Sequence, residues 1–80
     1  MVGYDIGKKL LYYEDGAAVL VSVVENSSNC IEDRYKLKVI KIERESPLWK
    51  EHPKKGDILS VFKRKGVAYG GMWTLVDRLD

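Results

Sequence analysis

The dipeptide Asp15-Gly16 lies between two apolar runs, Lys8 to Tyr13 and Ala17 to Glu25, and this placement constrains the fold more than any other feature. A tight hairpin turn demands positive φ, which glycine takes at low cost, so the two runs are predicted to pair antiparallel. An isolated hairpin is marginal in water, and further strands must cover its apolar face. The polar loop Asn26 to Cys30 leads into Tyr35-Lys36-Leu37-Lys38-Val39, whose strict apolar/polar alternation predicts a half-buried strand. The phase slips where Val39 and Ile40 stand side by side, and Ile40-Lys41-Ile42-Glu43 alternates on the other parity. A β-bulge there would keep both apolar sets on one face and bend the strand.

Asp57 to Lys63 reads as a fourth strand, Arg64-Lys65-Gly66 as a turn, and Val67 to Val76 as a fifth strand interrupted by Gly70-Gly71. Paired glycines inside a strand predict a bulge or a close backbone approach. Between the third and fourth strands, Ser46 is placed as a helix N-cap with Pro47 at the first helical position, and Pro53 and Gly56 stop the element within two turns. One short helical or 3₁₀ turn is predicted. Eighty residues, 45% of them apolar, make one small domain over residues 1–80 with a thin core. The expected fold is all-β: a five-stranded, strongly bent SH3-like barrel with one short helical turn before the last two strands. The five-stranded OB-fold is the alternative, although it would favour a longer helix than Ser46 to His52 provides.

The stretch Ile6-Gly7-Lys8-Lys9-Leu10-Leu11-Tyr12-Tyr13-Glu14-Asp15-Gly16-Ala17-Ala18-Val19-Leu20-Val21 resembles the opening hairpin of Tudor-like and other SH3-like domains. The resemblance covers about a fifth of the chain and implies a fold class rather than an activity. Tudor domains carry an aromatic cage for methylated lysine or arginine, and Tyr13 sits where such domains often place one aromatic. Ala17 and Ala18 stand where a second would follow the turn.

Charge is unevenly spread. The net value is only +2, but residues 49–69 hold Lys50, Lys54, Lys55, Lys63, Arg64 and Lys65 against Glu51 and Asp57, a local +4. Six cations brought together would meet a polyanion such as RNA or DNA, with Trp49 and Tyr69 beside them as stacking surfaces. A solvated, lysine-rich loop is the plainer reading of the same residues. Tyr12 and Tyr13 must face opposite ways in a strand, so one is expected in the core and one exposed. Tyr13, Trp49, Tyr69 and Trp73 are the candidates for an aromatic groove that takes a peptide, against plain core or rim packing. An uncovered edge near Val67 to Leu75 would allow two copies to pair as a homodimer.

Chemistry is expected to be absent. The chain has one His and one Cys and lacks G-x-S-x-G, H-E-x-x-H and any glycine-rich phosphate loop, so no catalytic residue, metal or cofactor is expected. His52 and Glu51 are adjacent and point apart, and the acid pairs Glu14/Asp15 and Glu32/Asp33 are expected as solvated turn carboxylates. The single Cys30 cannot form an internal disulfide, which suits a reducing, cytoplasmic setting; a structural role is expected for it. The longest nearly apolar run, Ala17 to Val24, is far below the roughly 20 residues of a membrane helix, and Met1 to Asp5 lacks a secretory signal pattern. The functional expectation is therefore a noncatalytic binding module that contacts nucleic acid or another polyanion, or alternatively a protein-interaction or self-associating domain.

Overall fold

The computed structural model describes residues 4–49, 51–64 and 73–77. Five antiparallel strands, β1 (Lys9–Glu14), β2 (Ala17–Asn26), β3 (Glu32–Arg44), β4 (Ile58–Arg64) and β5 (Trp73–Asp77), form one curled sheet in the order β4-β3-β2-β1-β5. Strands β1 to β4 run as a meander, and β5 returns to pair with β1, as Leu10↔Asp77 through Glu14↔Trp73. This is a strongly curled half-barrel, compatible with the SH3-like fold.

The first hairpin forms as its turn chemistry dictates. Glu14 pairs with Ala17, and both residues between them have positive φ, 50° at Asp15 and 88° at Gly16. Arg44 Nε donates to the Gly16 carbonyl at 2.8 Å and Ser46 Oγ to the Asp15 carbonyl at 2.5 Å, so the end of β3 clamps this turn.

Curling follows from bulges. Leu20 pairs with Lys41 and Val21 with Val39, which leaves Ile40 as the extra residue, at the expected phase slip. Further shifts leave Glu43 unpaired on β3 and Val24 on β2. Each extra residue increases the local twist, and three in one strand pair roll the sheet onto its own apolar face. There Leu10, Tyr12, Val19, Val21, Val23, Tyr35, Leu37 and Val39 form the buried core, with Ile42 and Trp73 packed against it. Among the described residues every buried side chain is hydrophobic.

Three local expectations are corrected. The connector between β3 and β4 contains no helix among the described residues; Trp49 N reaches the Ser46 carbonyl at 3.3 Å in a single turn. Pro53 disfavours helical geometry at His52, and so short a segment cannot recover the cost of helix nucleation. Glu32 and Asp33 are not turn residues: their pairing with Arg64 and Lys63 extends β3 toward the loop. Glu14 closes β1 and accepts a hydrogen bond from the Tyr12 hydroxyl. The glycine pair Gly70-Gly71, the turn residue Gly66 and the edge expected to pair near Val67 to Leu75, up to position 72, lie outside the described residues.

Candidate functional site

The outer face of β3 and β4 is built by simple alternation. Tyr35, Leu37 and Val39 point into the core, so Arg34, Lys36 and Lys38 must point outward, and all three are exposed. Their partners across the ladder are Phe62, Ser60 and Ile58. Each rung thus sets one cation beside one β4 side chain. Phe62 is 66% and Ile58 52% exposed. On the far side of β3, Lys38 pairs with Ser22, and Ser22 with Lys9 on β1, which widens the basic face across the sheet.

Two acids touch this row. Glu32 accepts from Arg34 at 2.7 Å and 3.0 Å through one carboxylate oxygen, and Glu25 lies 4.0 Å from Lys36. The first contact fixes the guanidinium, whose carbon lies 5.8 Å from the Phe62 ring centre. The second is at the limit of an ion pair between half-exposed groups and leaves Lys36 nearly free of it.

Two shallow grooves follow the same face. One, of about 510 Å³, is lined by Glu25, Ser27, Arg34, Lys36, Ser60 and Phe62 among others. The other, of about 600 Å³, is lined by Ser22, Lys38, Val39, Ile40, Lys55 and Gly56. Lys55 reaches the second groove because a turn directs it there. Asp57 N donates to the Lys54 carbonyl at 2.9 Å, the Asp57 carboxylate accepts from Lys54 N at 2.8 Å, and Gly56 supplies a φ of 94°. Gly56 N and the Asp57 carbonyl then bond to Val39, which ties the turn to β3.

The cations singled out from sequence are divided between places. Lys54 and Lys55 occupy the turn before β4, whereas Lys63 and Arg64 end that strand, about 20 Å away at ~3.3 Å per residue. Arg64 shares the outward parity of Phe62. Lys63 has the opposite parity, and its Nζ lies 5.1 Å from the Trp73 ring centre. Lys50 and Lys65 lie outside the described residues.

The aromatic residues assemble on the inner face. Tyr12 lies between Trp49 and Trp73, with ring centres at 5.8 Å and 5.9 Å, and His52 packs on Trp49 at 5.2 Å. Trp73 Nε1 donates to the Phe62 carbonyl at 3.1 Å, so this side chain spans the gap between the two sheet edges, β4 and β5. Tyr13, on the opposite face of β1, does not join the stack, and Tyr69 lies outside the described residues. Burial first, and then the hydrogen bond to Glu14, pushes the Tyr12 hydroxyl well above the usual tyrosine range. Burial also raises Tyr4, whose N–H donates to the Tyr35 hydroxyl at 3.1 Å.

The remaining candidates do not converge. His52 Nδ1 lies 3.0 Å from the Pro53 carbonyl and must carry the proton, because a carbonyl only accepts; Nε2 is buried without a partner. Cys30 is free and exposed in the loop before β3. Among the described residues no cluster of three His, Cys, Asp or Glu could hold a metal, and no helix is long and apolar enough to cross a membrane. No protein-family model, curated protein or solved structure matches the chain.

Sequence inspection overlooked the row Arg34, Lys36, Lys38. The signal was present, since the alternation that identified the strand also sets every second residue on one face. The row does not show in the net charge of its segment, because residues 1–48 carry eight acids against seven bases.

Proposed function

We propose that this protein is a noncatalytic binding module of the SH3-like barrel type that holds an anionic polymer on the outer face of β3 and β4. The reading rests on the outward row Arg34, Lys36 and Lys38, extended by Lys55 at one end and Arg64 at the other. A polymer with regularly spaced charges suits a regularly spaced row. Each cation that neutralises a phosphate releases a counterion, so affinity falls steeply with salt. The buried described residues are hydrophobic, which leaves recognition to the surface. An exposed, unpaired Cys30 suits a reducing compartment.

The test is a salt titration of binding to a mixed-sequence oligonucleotide. Three phosphate contacts, at Lys36, Lys38 and Lys55, give a roughly twentyfold loss of affinity between 50 and 200 mM salt. The double variant Lys36→Glu/Lys38→Glu should lose binding while keeping the β-sheet circular dichroism spectrum. Undiminished binding by that variant, or no binding by the parent protein at low salt, refutes the reading.

A second reading is favoured by the position of β4 at the sheet margin, with Ile58 and Phe62 exposed. An extended peptide would add there as a further strand, held by main-chain hydrogen bonds. Binding of that kind would change little with salt.

A further inference from the structure

We infer that the anionic polymer is a single-stranded nucleic acid, lying along β3 with one base stacked at Phe62. This rests on the reading above and deepens it. A duplex presents its phosphates and conceals its base faces, so it could use the lysines but would leave Phe62 idle. A single strand presents both groups in turn.

The surface matches that alternation. The outward cations repeat every second residue, about 6.6 Å at ~3.3 Å per residue, near the separation of successive phosphates in an extended strand. Across each rung stands a β4 side chain of a different kind: Phe62 for stacking, Ser60 for hydrogen bonding and Ile58 for apolar contact.

Arg34 has a distinct part. Glu32 offsets its charge and holds the guanidinium over the Phe62 ring, which remains largely exposed, so a base can stack on either member of the pair. Bases stack on aromatic rings and on arginine planes alike. The phosphates then fall to Lys36, Lys38 and Lys55, which lie along the two grooves of about 510 and 600 Å³. Either groove is large enough for a base-sized group.

The test compares a fluorescein-labelled oligothymidylate with a labelled hairpin duplex of equal length, by fluorescence anisotropy at several salt concentrations. The single strand should bind at least tenfold more tightly. Phe62→Ala should lower its affinity about tenfold with the salt dependence unchanged, since stacking carries no counterion, and Phe62→Trp should retain binding. Lys36→Gln/Lys38→Gln should reduce the slope of log affinity against log salt by about 1.4. Because Phe62 is largely exposed, its truncation should leave the fold intact, as circular dichroism would confirm. Equal binding of strand and duplex, or an unchanged affinity in Phe62→Ala, overturns the inference and leaves the polyanion reading standing. Failure of the parent protein to bind either probe overturns both.

Discussion

Replacing Tyr12 by Phe should reverse its effect on stability between neutral and alkaline pH. The ring is 1% exposed and stacks between Trp49 and Trp73, contacts that Phe preserves. What Phe removes is the hydroxyl that donates to the Glu14 carboxylate. Hydrogen bonds to charged groups contribute about 1.5–3 kcal/mol. Glu14 is only half-buried, so water regains access to it and the net loss near pH 8 should be about 1 kcal/mol. Alkali acts in the other direction. Burial holds the folded-state pKa of Tyr12 well above its ordinary value, so the folded protein keeps the proton while the unfolded chain releases it near pH 10. The stabilisation is complete below that pH and declines as pH rises, by about 1.4 kcal/mol at pH 11 through this one residue. Tyr12→Phe does not suffer this loss. The variant should be about 1 kcal/mol less stable at pH 8 and about 0.4 kcal/mol more stable at pH 11. Urea unfolding followed by far-UV circular dichroism measures both values, and a difference that stays constant from pH 8 to 11 would refute the assignment of a buried, proton-retaining Tyr12.

Two further substitutions probe the turn and the closure. Gly16→Ala places a side chain at a φ of 88° while meeting only Ser46 Oγ at 3.7 Å, an ordinary contact, so backbone strain alone should cost about 1–2 kcal/mol in urea unfolding. Trp73→Phe keeps a ring against Tyr12 but loses the Nε1 bond to the Phe62 carbonyl. It should cost about 1 kcal/mol, and in native-state hydrogen exchange it should raise the exchange of β4 and β5 amides relative to those of β2.

The features that could be read from sequence are those set by neighbours along the chain. Asp15-Gly16 fixes its own φ angles, and the slip at Val39 and Ile40 fixes a bulge, whatever else the chain does. Features set by partners distant in sequence were not readable. Glu32 and Asp33 have no local strand signal and become extended because Arg64 and Lys63 lie opposite them. Alternation shows that Tyr12 and Tyr13 oppose one another, but the arrival of Trp49 and Trp73 from later segments decides which one the core takes. The basic face was divided in the same way. Its lysines belong to β3 and to the turn at Gly56, fifteen or more residues apart, and only the pairing of β3 with β4 unites them.

Charged side chains on a small sheet have a structural use that needs no ligand, which is to stop exposed edges from pairing with other chains. That use suits Arg64 on the marginal strand β4. It does not extend to Lys36 and Lys38, because β3 is paired there on both sides, by β2 and β4, nor to Arg34, which pairs with β4 on one side and is bonded by Ser27 and Ser28 of the loop on the other. Net positive charge also keeps a small domain soluble, but a row of one sign carries a cost that alternating signs would avoid. Three like charges about 6.6 Å apart instead repel by roughly 0.6 kcal/mol per neighbouring pair even in water. Glu32 and Glu25 relieve that repulsion at one end of the row, while no described acid lies within ion-pair distance of Lys38 at the other. The anionic partner proposed above would remove this repulsion on binding, so its cost in the free protein would be recovered in the complex.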